Sequence, residues 1–163
     1  MKKLLIALGS ILVIALSYTA QGASNAAFPK GWETWPVAKS GVIPSNKSAI
    51  PANVPAIVQD TIKTYNWVQD GKGSAYNVRI NPAQKLANSS GKGYGDGATA
   101  VLELTDIKVL LVTEHLLGEP QYGVYSYDGK DLSGIHPSLN PRTCTTCHTG
   151  YEDACRHGIC SMK

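Results

Sequence analysis

The sequence predicts a single domain of the α+β class, built mainly on an antiparallel β-sheet. Residues 98–104 and 108–117 combine β-branched residues with leucine, and only a short turn separates them. Residues 122–127 form a third segment of the same kind, again after a short connection. Short apolar segments joined by tight turns are typical of antiparallel strands, because parallel strands need long crossover connections.

The first 23 residues have the pattern of a secretory signal peptide. Lys2 and Lys3 precede an apolar stretch from Leu4 to Leu16, and small and polar residues follow. We expect cleavage between residues 22 and 26. The apolar stretch is shorter than the roughly 20 residues of a membrane span, so an uncleaved anchor is the lesser alternative. The sequence therefore predicts an exported, periplasmic bacterial protein without a stable membrane span after signal removal.

The remaining residues, 24–163, are enough for one domain with one core. The signal segment carries Lys2 and Lys3 and no acidic residue, so its removal lowers the formal charge from +3 to +1. A nearly neutral chain lacks the clustered cations that nucleic acid binding requires. We therefore expect no nucleic acid partner.

The N-terminal part of the mature chain, residues 23–55, is rich in proline, serine and alanine. We expect a short helical turn that buries Trp32 and Trp35, followed by an irregular loop, because proline interrupts long helices. Residues 54–67 have the apolar spacing of one amphipathic helix. A strand over 75–80 and a short helix starting at Asn81-Pro82 complete the elements before the central strands.

The segment Cys144-Thr145-Thr146-Cys147-His148 carries the clearest chemistry in the chain. In a Cys-x-x-Cys-His motif the two thiols bind haem c covalently, and the histidine binds its iron. The alternatives are a redox dithiol, a structural disulfide, and a zinc site completed by His157 and Cys160. A redox dithiol belongs at the start of a helix in a βαβ unit, and zinc needs a second ligand pair at suitable spacing. We therefore expect one covalent haem c, with His148 as the proximal ligand.

Four further segments, taken in order with this motif, resemble the β-sheet haem proteins of the cytochrome P-460 and cytochrome c′-β family. They are Phe28-Pro29-Lys30-Gly31-Trp32-Glu33-Thr34-Trp35, Tyr76-Asn77-Val78-Arg79-Ile80-Asn81, Gly97-Ala98-Thr99-Ala100-Val101-Leu102-Glu103 and Gly123-Val124-Tyr125-Ser126-Tyr127. The resemblance implies a five-stranded antiparallel sheet, a homo- or heterodimer, and a haem whose distal side faces the sheet. Some members bind nitric oxide or carbon monoxide, and others oxidise hydroxylamine with a lysine cross-linked to the porphyrin. Lys85 lies near the segment that carries this lysine.

The tail adds Cys155 and Cys160, which family chains usually lack. They form either a disulfide, as expected in an oxidising compartment, or one of them is the distal iron ligand. The second alternative is similar to the His/Cys ligation of the Nax-type heterodimer. His115 is another candidate for the distal side, set against a surface histidine at the end of a strand. Glu103 and Glu114 are either pocket carboxylates or, as we expect, strand-end acids in solvent.

These observations predict an exported mono-haem cytochrome that binds small gaseous or nitrogenous ligands, carries electrons to a redox partner protein, or does both. The first alternative is a hydroxylamine-oxidising enzyme, for which the sequence assigns no catalytic residue. The second is a pure electron carrier with both axial positions of the haem filled. We favour a protein that is not an enzyme, because little polar machinery surrounds the predicted haem site.

Overall fold

The computed structural model describes residues 23–50, 53–84, 95–155 and 158–160. Nearly all of the predicted signal segment lies outside the described residues, as do Lys85 and His157. Within the described part of the chain, no helix is long and apolar enough to cross a membrane.

Among the described residues, five strands form one antiparallel sheet whose spatial order is the order of the chain. The strands are β1 Val37–Ile43, β2 Ser74–Ile80, β3 Thr99–Leu104, β4 Val109–Leu116 and β5 Glu119–Ser126. In the described ranges two α-helices accompany the sheet, α1 Ala56–Thr64 and α2 Pro141–Gly150, together with 3₁₀ turns at Trp32–Thr34, Val68–Gly71, Pro82–Gln84 and Pro137–Leu139. The prediction of an α+β domain dominated by antiparallel sheet is confirmed.

Side chains that alternate along the strands divide the sheet into two faces. Leu102 of β3 lies opposite Leu111 of β4, and Leu111 lies opposite Val124 of β5. We call this side the helical face, because α1 and α2 lie over it. The other side, which includes Val101, Leu110 and Val112, is covered by residues that precede β1, and we call it the N-terminal face.

The N-terminal face is closed by aromatic side chains and one buried ion pair. Trp32 and Trp35 pack there against Val101, Leu110 and Val112. Glu103, only 6% exposed, accepts hydrogen bonds from Asn77 Nδ2 at 3.0 Å, Arg79 Nε at 2.9 Å and Tyr127 Oη at 2.8 Å. Arg79 also donates to the carbonyl oxygen of Trp35 at 2.9 Å. This network fastens the N-terminal segment to the sheet.

Two predictions about acidic residues are corrected by this face. We expected Glu103 to be a strand-end acid in solvent, but it is buried in the network with Arg79. Glu114 is half-buried and its carboxylate accepts the backbone N–H of Ala27 at 3.0 Å. Both carboxylates therefore hold the N-terminal segment, and neither lines the cavity on the helical face.

Strand β1 and the extent of helix α1 differ from the sequence-based expectation. Residues 37–43 form an edge strand where we expected an irregular loop, and only Ile43 of that strand is buried. A strand that buries one residue shows no alternating pattern, so its pairing with β2 depends on backbone hydrogen bonds. Helix α1 starts after Pro55 and ends at Thr64, shorter than the predicted 54–67.

Candidate haem site

Helix α2 places the three chemically distinctive side chains of the Cys-x-x-Cys-His segment together. Asn140 caps the helix, because its side-chain oxygen accepts the N–H of Arg142 at 2.9 Å, and Pro141 occupies the first turn. Positions three and four residues apart lie on one side of an α-helix. Cys144, Cys147 and His148 therefore share the side of α2 that borders a cavity.

The cavity lies between the helical face of the sheet, α1 and α2, and has a volume of about 260 Å³. Its walls are mainly apolar, with Leu102 and Leu111 on the sheet side and Ile62 and Tyr65 on the α1 side. Leu102 and Leu111 are only half-buried, although both lie in central strands. The helical face is thus the part of the core that the described residues do not close.

The two motif thiols are free and lie in a partly buried position. Burial is the main reason why the pKa of Cys144 is raised to about 11; a backbone hydrogen bond opposes the rise, and the nearby Cys147 adds to it. The pKa of Cys147 is also raised, by burial and then by the negative charge of Asp60. A redox dithiol requires the opposite shift, because its reactive form is the thiolate. The environment therefore does not support the redox alternative.

The imidazole of His148 is held in one orientation. Its Nδ1 lies 2.7 Å from the carbonyl oxygen of Gly158, and the ring meets Tyr122 edge-on at 4.9 Å between centroids. A carbonyl can only accept a hydrogen bond, so this contact assigns the ring proton to Nδ1 and leaves the lone pair on Nε2. Burial lowers the pKa of His148, although the hydrogen bond to Gly158 opposes this, so the ring is neutral near pH 7.

The tail cysteines are joined as the disulfide Cys155–Cys160. Of the two alternatives drawn from the sequence, the structure contains the disulfide, and neither sulfur offers the thiolate that ligation of iron by Cys155 or Cys160 would need. The Sγ atom of Cys160 lies 3.6 Å from Nδ1 of His148. His148, Cys155 and Cys160 thus lie close enough to hold a metal ion only if the disulfide were opened.

His115 shares a sheet face with Leu111 and Thr113. It is only 6% exposed, so the expectation of a surface histidine is wrong. Its Nδ1 lies 3.5 Å from a carboxylate oxygen of Asp96, and it is not among the residues that line the cavity. This position at the sheet end separates His115 from α2.

Sequence reasoning missed two contributors to the site, Gly158 and Tyr122. Tyr122 supports His148 by an edge-on contact between the two rings. Gly158 has a φ of +74°, a conformation that favours glycine, and its carbonyl faces the imidazole. The only signal for this role in the sequence was a glycine between two closely spaced cysteines.

Comparisons with known proteins identified no relative of this chain. A scan for protein families, a search of curated proteins and a search of solved structures each found no match to this chain. The function therefore has to be argued from the geometry of the site.

Proposed function

We propose that this chain is an exported c-type cytochrome that holds one covalent haem through Cys144 and Cys147, with His148 as the proximal iron ligand. The observation that carries the proposal is the arrangement on α2. The two free thiols and an imidazole with its lone pair on Nε2 border the same apolar cavity. This is the donor set that a Cys-x-x-Cys-His motif provides for haem c.

The walls of the cavity fit a large apolar ring. Leu102 and Leu111 of the sheet are half-buried and face α2 across the cavity, so a flat macrocycle would cover side chains that the protein leaves open. The tail disulfide also favours this assignment, because it leaves the motif cysteines as the two free thiols among the described residues. Haem would supply an iron that takes a small ligand or an electron.

The lining of the cavity favours binding of small neutral molecules such as nitric oxide or carbon monoxide. Apolar side chains exclude water, and Thr113 provides one of the few polar groups on the sheet wall. No carboxylate of the described residues lines the cavity. An enzyme that oxidises hydroxylamine needs a group that moves protons, so this observation favours ligand binding or electron transfer over hydroxylamine oxidation.

The same observations support membership of the cytochrome P-460 and cytochrome c′-β family. The five-stranded antiparallel sheet and the late attachment motif are what that resemblance implies. We further propose a periplasmic location, a homo- or heterodimeric assembly and a redox partner protein. The cross-linking lysine of the hydroxylamine oxidisers has its nearest candidate in Lys85, which lies outside the described residues.

The first test is covalent attachment. The full-length chain is produced in a bacterium that matures c-type cytochromes, and the intact mass is measured under denaturing conditions. We expect the mass of one haem in addition to the mature chain, and a loss of that mass in Cys144→Ala/Cys147→Ala. The matched control is Cys155→Ser/Cys160→Ser, which removes the same number of sulfurs and should retain the haem. A wild-type chain without covalent haem would overturn the proposal.

The second test separates the three functions at the sixth coordination position of the iron. Absorption and EPR spectra of the haem protein are recorded before and after addition of nitric oxide or carbon monoxide. A spectral change with either gas supports ligand binding, and unchanged spectra support an electron carrier with both axial positions filled. Turnover of hydroxylamine, with a covalent link between Lys85 and the porphyrin in the mass spectrum, would instead establish the enzyme.

A further inference from the structure

We propose that the Cys155–Cys160 disulfide is a positioning device for the proximal histidine: it holds the carbonyl of Gly158 against Nδ1 of His148. The inference rests on the proposed haem function and concerns how the protein sets the properties of the iron. The observations that carry it are a hydrogen bond, a glycine that nothing else can replace, and a covalent closure beside the ring.

Cys155, the first of the two disulfide-bonded residues, is fixed just after helix α2. Cys155 is 3% exposed, and its N–H donates to the carbonyl of Tyr151 at 2.8 Å. Its own carbonyl accepts the N–H of Gly158 at 3.0 Å, which turns the chain back toward the helix. The tail therefore returns to His148, a residue of the same helix.

Gly158 fits its position because it has no side chain. At its φ of +74° an added Cβ would lie 2.4 Å from Cβ of Pro120 and 3.1 Å from Oη of Tyr122. Pro120 and Tyr122 belong to β5, so the sheet blocks this side of the glycine. The backbone can approach the imidazole this closely only with glycine here.

The disulfide fixes Cys160, on the other side of Gly158. It links residues five positions apart, and the Cys160 sulfur lies 3.6 Å from Nδ1 of His148. Without this bond, the backbone and non-covalent contacts alone would hold Gly158 and Cys160 beside His148. A covalent closure reduces the conformations open to such a segment. The bond thus keeps the carbonyl of Gly158 at hydrogen-bond distance.

The consequence for a bound iron follows from general ligand chemistry. A carbonyl that accepts the Nδ1 proton fixes the tautomer and the rotation of the ring, and makes Nε2 a stronger electron donor. A stronger proximal donor stabilises the oxidised iron and lowers the reduction potential of the haem. Gly158 and the disulfide are therefore positioning groups, since they act on iron only through His148.

The test compares haem-loaded variants by two measurements that do not depend on activity. These are the iron–histidine stretching frequency of the ferrous protein, from resonance Raman spectra, and the reduction potential. In Cys155→Ser/Cys160→Ser we expect a lower stretching frequency and a higher potential than in the wild type, because Nδ1 loses its fixed acceptor. Gly158→Ala should shift both quantities in the same direction. Gly31→Ala is the matched control, since Gly31 has a φ of +75° and nothing within 4 Å of an added Cβ.

A second route covers variants that fail to fold or to take up haem. The wild-type haem protein is treated with a small dithiol, which gives two electrons and two protons to the disulfide, yields two cysteine thiols and becomes a disulfide itself. The stretching frequency should then fall. Wild-type frequency and potential in the haem-loaded serine variant, or an unchanged frequency after full reduction of the disulfide, would overturn the inference. Absence of covalent haem in the wild-type mass spectrum would instead overturn the proposed function.

Discussion

The two faces of the sheet carry similar residues but are covered to different extents by the rest of the chain. On the N-terminal face, Val101 and Leu110 are 0% exposed, and Trp32 and Trp35 pack over them. On the helical face, Leu102 and Leu111 occupy adjacent positions in the same two strands and remain half-buried. The sheet alone does not produce this difference, because neighbouring residues differ only in the side to which they point.

What differs is the part of the chain that covers each face. The chain closes the N-terminal face with its own aromatic residues and the ion pair of Arg79 and Glu103. It covers the helical face with two helices that leave a cavity of about 260 Å³. An incomplete core beside Cys144 and His148 identifies where a bound group would complete the packing. The contrast therefore separates a closed side of the molecule from the side that carries the candidate site.

The largest expected effect is on the N-terminal face, at Glu103. Replacement by alanine should reduce the free energy of unfolding by about 3–5 kcal/mol, because it leaves the guanidinium of Arg79, only 17% exposed, without its carboxylate. Urea unfolding measures the change. The matched control is Glu119→Ala, an exposed acid at the start of β5, for which we expect less than about 0.5 kcal/mol. Equal effects at the two positions would contradict the structural role of the ion pair.

Two adjacent leucines of β4 compare the faces directly. Leu110→Ala should cost about 2–5 kcal/mol, because the side chain is fully buried on the N-terminal face. Leu111→Ala should cost about 1–2 kcal/mol in the chain without haem, since that side chain is half-buried. Urea unfolding of both variants, with and without haem, measures the difference. If the proposed haem is bound in this cavity, the cost at Leu111 should rise in the haem-loaded protein, and a cost that does not rise would contradict that proposal.

A smaller effect concerns the response of stability to acid. Burial acts to raise the pKa of Glu103, but hydrogen bonds from Asn77, Arg79 and Tyr127 outweigh it and the pKa lies below its ordinary value. The corresponding stability is present above the unfolded pKa of about 4.3 and is lost as the pH falls through the folded pKa. Unfolding curves between pH 7 and acid conditions should therefore show a fall in stability that is weaker in Glu103→Gln. An unchanged slope would assign the acid response to other carboxyls, such as Asp131, whose pKa is also lowered.

The smallest effect is expected between the two helices of the helical face. The hydroxyl of Tyr151, just after α2, donates to Asp60 of α1 at 2.5 Å, and both groups are accessible to solvent. Tyr151→Phe should leave global stability nearly unchanged but speed amide hydrogen exchange in α1, because a contact between the helices is lost. Lys63→Ala, which removes an exposed ion pair within α1, is the control and should not alter exchange in α2.

The central strands could be predicted because the residue composition of each one is typical of a buried β-strand. The predicted segments 98–104 and 108–117 agree with β3 and β4 to within one residue at each end. Their dense β-branched and leucine content reflects burial of both faces. Strand β1 could not be predicted in this way, because its partner β2 supplies the pairing and only Ile43 is buried.

The sequence predicted which residues carry the chemistry of the candidate site, but not which residues hold His148 in place. The spacing of Cys144, Cys147 and His148 is visible in the sequence, since a motif depends on neighbouring positions. The support of His148 by Gly158 and Tyr122 depends on a backbone conformation and on a contact between distant segments. The choice between a disulfide and a free thiolate in the tail likewise required the distance between Cys155 and Cys160.

The order of the strands in the sheet also bears on how the protein is made. Each strand pairs only with its neighbours in the chain, and α2 comes after the last strand. Such a meander lets pairing proceed from one strand to the next along the chain, with the longest loop closed between β1 and β2. Cys144 and Cys147 lie in α2, which follows the five described strands, so under the proposed function the sheet wall can be in place while both thiols are still accessible. On that proposal we expect haem attachment to precede the docking of α2, which encloses the thiols.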